Sequence, residues 1–164
     1  MTQRPKIKFF AVGGTIDKVY FDRLSTYKVG EPGVSDILRE ANVGFDYTCE
    51  SILRKDSLNL TEKDRQIIFE RVAAEEARLV VITHGTDTMV KTAKILKGIP
   101  GKVIVLTGAL QPALFKSSDA EFNVGAAVAA VQTLKEGVHI VMNGRIFDPD
   151  RVKKNRKLLC FEEK

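Results

Sequence analysis

Three short clusters gather side chains able to do chemistry. Gly13-Gly14-Thr15 sets a hydroxyl directly after two glycines, which allow a tight turn and a close backbone approach to a ligand. Thr83-His84-Gly85-Thr86-Asp87-Thr88 packs hydroxyls and a carboxylate into six residues. Asp56-Ser57 offers another hydroxyl, with amides nearby that could bind a substrate carboxylate. Further on, Val152-Lys153-Lys154 supplies two candidate amines. Cleaving an unactivated amide needs a hydroxyl nucleophile, a base for its proton, and donors for the developing oxyanion. Threonine, lysine and aspartate can furnish that set. A lysine that is partly desolvated and oriented by a carboxylate can accept or relay the proton. Each cluster also has a plain structural reading: a glycine turn at 13–15, a helix cap at Thr86 or Asp87, and a turn at Ser57.

The positions of these clusters follow from hydropathy. Strands are predicted at Ile7–Val12, Tyr47–Leu53, Leu79–Thr83, Val103–Thr107 and His139–Asn143, most of them Val/Ile/Leu-rich as buried parallel strands require. Helices are predicted at Gly33–Ala41, Thr61–Glu76, Asp87–Leu96 and Asp119–Lys135, with apolar residues at three- and four-residue spacing. Thr61-Glu-Lys-Asp64 reads as a helix start. Alternating β and α segments imply a three-layer, Rossmann-like α/β domain, with a mostly parallel sheet and helices on both faces. In such sheets ligands bind at the carboxyl ends of strands, where all three clusters fall. Asp17–Glu31 reads as a long irregular connection bearing Tyr20 and Tyr27, a candidate lid. The tail from Arg145 is expected to add a short strand pair.

Composition narrows the classes. With 164 residues, 44% apolar and 29% charged, the chain fits one globular domain spanning 1–164, with no second domain expected. The basic and apolar start, MTQRPKIKFFAV, is short and charge-interrupted, and reads as a strand rather than a signal. No apolar stretch approaches the roughly 18–20 residues that span a bilayer, so a cytoplasmic protein is expected. Cys49 and Cys160 lack CxxC spacing and have only His84 and His139 for company, which argues against structural zinc and a disulfide framework. The formal charge of +5 is concentrated in Arg151-Val-Lys-Lys-Asn-Arg-Lys157 and reads as a solvated basic surface rather than a nucleic-acid site. Neither GxGxxG nor GxxxxGK[ST] occurs, so nucleotide cofactors lose their usual support.

On these residues the chain resembles the bacterial-type L-asparaginases, specifically their amino-terminal domain. Val12-Gly-Gly-Thr-Ile-Asp17 and Ile82-Thr-His-Gly-Thr-Asp-Thr-Met89 carry the match, in the family's order and spacing. Leu106-Thr-Gly-Ala-Leu-Gln-Pro112, Ser117-Ser-Asp-Ala-Glu-Phe-Asn123, Asn143-Gly-Arg145 and Val152-Lys-Lys154 extend it.

The resemblance implies conversion of L-asparagine to L-aspartate and ammonia through a threonyl acyl-enzyme, with no metal or organic cofactor. Thr15 would attack the side-chain amide, Tyr27 would orient or activate it, and Thr86, Asp87 and Lys154 would form a second triad. Ser57 and Asp87 would hold the α-carboxylate and α-amino groups, with Gly14, Asp56, Gly85 and Thr86 completing the substrate contacts. Lys154 is chosen over the adjoining Lys153 because the family lysine lies two positions after a valine-like residue, as in Val152-Lys-Lys154. The resemblance also implies a homo-oligomer, since family sites are completed by the second domain of a neighbouring subunit. Leu58 departs from the pattern, standing where members often place a polar substrate contact. Two other readings stay open: an amino-acid-binding or sensing domain that turns over weakly, and an ammonia-releasing module of a transamidation complex.

Overall fold

A computed structural model describes residues 4–164. Its strands are β1 (Lys6–Gly13), β2 (Lys18–Phe21), β3 (Thr26–Val29), β4 (Asp46–Lys55), β5 (Leu79–Thr83), β6 (Val103–Thr107), β7 (Gly137–Met142), β8 (Arg145–Phe147), β9 (Val152–Asn155) and β10 (Cys160–Glu163). The helices are α1 (Gly33–Glu40), α2 (Glu62–Ala74), α3 (Met89–Leu96) and α4 (Ala120–Thr133). The main sheet runs β4-β1-β5-β6-β7-β8, parallel except for β8, which lies antiparallel on β7. The predicted mostly parallel sheet with helices on both faces is the observed one.

Two cores form because each central strand is apolar on both sides. Phe10, Val12, Val80, Ile82, Ile104 and Leu106 meet Ile68 and Val72 of α2 and Met89, Ala93 and Leu96 of α3. Ile7, Phe9, Val81, Val103 and Val105 meet Val34 and Leu38 of α1 and Val124, Ala127 and Val131 of α4. The chain leaves β1 for β4 on one side and returns past β1 to β5 on the other. The order therefore reverses between β1 and β5, and the chain leaving those two strands goes on to helices on opposite faces, α1 on one and α3 on the other.

Local chemistry fixes the element ends. Thr61 caps α2 with a reciprocal box: its hydroxyl accepts from the Asp64 N–H at 3.2 Å and its own N–H donates to Asp64 Oδ2 at 2.8 Å. The same carboxylate accepts from Lys55 Nζ at 2.8 Å, tying α2 to the end of β4. The Lys55 bond, with the Thr61 donors, holds the Asp64 carboxyl down at about 2.

Two segments differ from the sequence expectation. The stretch read as irregular, Asp17–Glu31, contains the antiparallel hairpin β2–β3, with Tyr20 opposite Tyr27. Its turn residues hid it: Ser25 adopts φ 47°, a left-handed turn that neither glycine nor an Asn-Gly pair announces. In the tail, the strand pair β9–β10 forms, but β8 joins the main sheet instead. Val152 of β9 and Phe161 of β10 bury beside Phe147 and moor the hairpin to the core.

Candidate active site

Glycine contacts assemble the site. Gly13 and Gly14 have φ of 104° and 92°, a left-handed region that disfavours any side chain, so β1 turns sharply there. A Cβ at Gly14 would run into the Cα and N of Gly85, so the two loops meet backbone to backbone. A Cβ at Gly85 would lie 2.5 Å from Ser57 Cβ and 2.6 Å from Ser57 Oγ. Gly14 N–H donates to Lys55 O at 3.0 Å, and Thr88 Oγ1 donates to Ser57 O at 2.8 Å. Three chain segments, 13–17, 56–59 and 84–88, are thereby locked side by side. Thr15 opens a short 3-10 turn, Thr15–Asp17, at the rim of this stack.

The turn at 84–88 is set from below. Buried His84 lies 2.7 Å from Gly85 O through Nδ1 and 2.8 Å from Thr92 Oγ1 through Nε2. A carbonyl only accepts, so Nδ1 carries the proton and Nε2 accepts from the Thr92 hydroxyl. Burial drives the His84 pKa down to about 4, against the pull of the Gly85 carbonyl, and the ring stays neutral as this arrangement requires.

Lys154 completes the cluster. Its Nζ donates to Thr86 Oγ1 at 2.7 Å and to Asp87 Oδ1 at 2.9 Å. Alternation along β9 sends Val152 and Lys154 toward the body of the protein, while Lys153 points outward to Glu162 at 3.4 Å. Of the two neighbouring lysines, Lys154 is the one that meets Thr86 and Asp87. Those two side chains are spent on the lysine rather than on capping α3, whose N-cap, Thr88, makes no side-chain cap bond.

The other residues singled out from sequence are placed as follows. Ser57 is buried against Gly85. Asp56 accepts from the Leu58 N–H at 3.1 Å and pairs with Lys18 at 2.9 Å. Burial works against ionisation there, but the Lys18 ammonium and the Leu58 amide hold the carboxyl below its ordinary value. Leu58 is exposed. Tyr27 packs edge-on to Tyr20 and Phe115, at ring distances of 5.6 and 5.9 Å, and among the described residues makes no hydrogen bond to Thr15. A concavity of about 380 Å³ adjoins the Thr15 turn, lined by Ile16, Asp17, Lys18 and Val19, and another of about 480 Å³ lies between α1 and α4; Thr15, Thr86, Asp87 and Lys154 line neither. Among the described residues no group of three or more His, Cys, Asp or Glu could hold a metal, and no helix is long and apolar enough to cross a membrane.

Sequence reasoning passed over Arg156 and Asp17. Arg156, the first residue of the turn after β9, has its Nε 3.6 Å from Asp87 Oδ1, and no local sequence pattern signalled that contact. Asp17 is buried under the Thr15 turn, where Oδ1 accepts from the Gly33 N–H at 2.8 Å and its carbonyl accepts from the Gly30 N–H at 2.7 Å. Burial raises the Asp17 pKa to about 6, against the Gly33 bond and the Arg54 charge.

Asp17 and His84 pull stability in opposite directions with pH. The raised Asp17 pKa gives stability that is full below about 4 and lost as pH rises through about 6. The lowered His84 pKa gives stability that is full above about 6.5 and lost as pH falls through about 4. Asp17→Asn removes the first effect alone. Relative to the parent, the variant is expected to gain about 3 kcal/mol of stability between pH 3.5 and 6.5, as a shift of roughly two units implies. Urea unfolding at a series of pH values reads this directly, and a constant difference across the range would refute it.

Comparison with known proteins places this geometry in a lineage. The family model described as "Asparaginase, N-terminal" matches residues 6–161. The chain is 34% identical over 156 residues to "L-asparaginase 2-3" of Saccharomyces cerevisiae, covering 87% of this chain and 43% of that protein. It is 30% identical over 156 residues to "L-asparaginase 2" of Bacillus subtilis, covering 87% and 42%. The structure of the thermostable L-asparaginase from Thermococcus kodakarensis superposes with a TM-score of 0.83 at 28% identity, covering 96% of this chain and 51% of that one. The chain spans about half or less of the length of each. By its motifs, its fold and this match, the chain belongs to the asparaginase family, as its N-terminal domain.

Proposed function

We propose that this site hydrolyses the side-chain amide of L-asparagine to L-aspartate and ammonia through a threonyl ester. The observation that carries the reading is the contact of Lys154 Nζ with both Thr86 Oγ1 and Asp87 Oδ1, beside the Gly14–Gly85 junction that fixes Thr15. Thr15 Oγ attacks the amide carbon and gives up its proton, the C–N bond breaks, and the nitrogen leaves as ammonia with that proton. Water then attacks the ester and loses its proton to the Thr86–Lys154–Asp87 relay, and the C–O bond to Thr15 breaks to release aspartate as the relay returns that proton to Thr15 Oγ. Backbone N–H groups of the turn at the start of α3 face the crevice and suit the oxyanion. Ser57 and Asp87 hold the α-carboxylate and α-ammonium, with Asp56 and the Gly14 and Gly85 backbones shaping the pocket. Tyr27 sits on the β2–β3 hairpin, and movement of that hairpin toward Thr15 is what its activating role requires.

That Thr15, Thr86, Asp87 and Lys154 line neither concavity described above favours two corollaries. Another surface, such as a second copy of the chain, covers the bound substrate. If none does, the same groups bind an amino acid with little turnover.

Ammonia release from L-asparagine, L-glutamine and D-asparagine, measured beside a Thr15→Ala control, separates the readings. Thr15-dependent release, greatest with L-asparagine, is the expected result. Calorimetric binding without release would leave a binding domain in its place.

A further inference from the structure

Asp87 Oδ1 faces two cations at once, Lys154 Nζ at 2.9 Å and Arg156 Nε at 3.6 Å. The second is unusual for an oxygen whose neighbour must take up a substrate's α-ammonium. Lys154 is largely sheltered and is engaged with Thr86, whereas the Arg156 side chain is 69% exposed. The surrounding charges are matched elsewhere. Lys18 pairs with Asp56 at 2.9 Å, Arg54 with Glu31 at 2.7 Å, and Lys153 with Glu162 at 3.4 Å. Around Asp87 this leaves Lys154 and Arg156 against one carboxylate, an excess of one positive charge. A zwitterionic amino acid must set its ammonium against that excess and compete with Arg156 for Asp87. An amide bearing a carboxylate alone leaves the Arg156–Asp87 pair intact and is drawn in by the same charge.

On the reading that this site is an amidohydrolase, we infer that Arg156 directs it toward ω-amides of dicarboxylic acids that lack a free α-ammonium. Succinamate, which is asparagine without its amino group, is the member that matches asparagine in length, and N-acyl-asparagine is a larger one. Arg156 acts through Asp87 and is a positioning residue; the bond-making steps are those of Thr15.

The test compares kcat/KM for succinamate and for L-asparagine in the parent, Arg156→Ala and Arg156→Lys, with Thr15→Ala as background. In Arg156→Ala the succinamate-to-asparagine ratio is expected to fall about fivefold, the scale of one partly exposed charge pair, and to do so through KM. Arg156→Lys keeps most of the parent ratio, and the difference between parent and alanine variant shrinks at high ionic strength. A merely structural loss lowers both substrates together. An unchanged ratio in Arg156→Ala overturns the assignment while leaving the hydrolase reading in place. Absence of Thr15-dependent release from both amides overturns the two together.

Discussion

Lys154→Met is expected to lower kcat for ammonia release from L-asparagine by about 10²- to 10⁴-fold, the range for losing a positioned proton-transfer group. Lys154 is the sole side chain hydrogen-bonded to both Thr86 and Asp87 among the described residues, so its loss disconnects the hydroxyl from the carboxylate. Methionine keeps the length and apolar stem of lysine, and the mooring of β9 through Val152 is untouched. Arginine at 154 is not expected to rescue, because a guanidinium keeps its proton and cannot relay one. Lys153→Met supplies the control. That side chain is exposed and pairs with Glu162, so its loss is expected to change kcat by less than about twofold. Steady-state kinetics on the three variants distinguish the outcomes, and comparable losses at 153 and 154 would refute the relay.

Gly14→Ala is expected to destabilise the fold by about 3 kcal/mol or more and to abolish activity. Two penalties coincide there. The backbone at φ 92° and ψ −172° is a conformation that residues with a Cβ scarcely enter, and the added methyl group would occupy the space of Gly85. Relief would require parting the loops after β1 and β5, which separates Thr15 from Thr86. Gly44→Ala provides contrast, since a Cβ there meets nothing within 4 Å. Its effect is expected to stay below about 1 kcal/mol. Urea denaturation midpoints check both substitutions, and similar midpoints would contradict the account of the Gly14–Gly85 junction.

Much of this architecture can be read from local pattern. The unbroken apolar runs of β5 and β6 announce buried parallel strands, and the Thr61–Asp64 box announces the start of α2. The threonine clusters fall at strand ends because the glycines that turn the chain stand beside them. Long-range contacts were harder to read. Hydropathy alone does not say that β8 adds to the main sheet while β9–β10 stands apart, since each strand has only three or four residues. The choice of Lys154 over Lys153 rests on the resemblance; its physical reason, that Val152 is buried and Lys154 shares its face of β9, is visible only in the folded chain. The role of His84 escaped for a similar reason, as its partner Thr92 lies on the helix above it. Arg156 escaped because its partner Asp87 is 69 positions away.

Acid-quenching the protein during turnover of L-asparagine, followed by peptide mass mapping, tests the role of Thr15 most directly. The expected result is an aspartyl group esterified to the peptide containing Thr15. It should be absent from Thr15→Ala and enriched in Thr86→Val, where water loses its proton relay. No adduct in any of these proteins, together with undiminished ammonia release from Thr15→Ala, would contradict the threonyl ester.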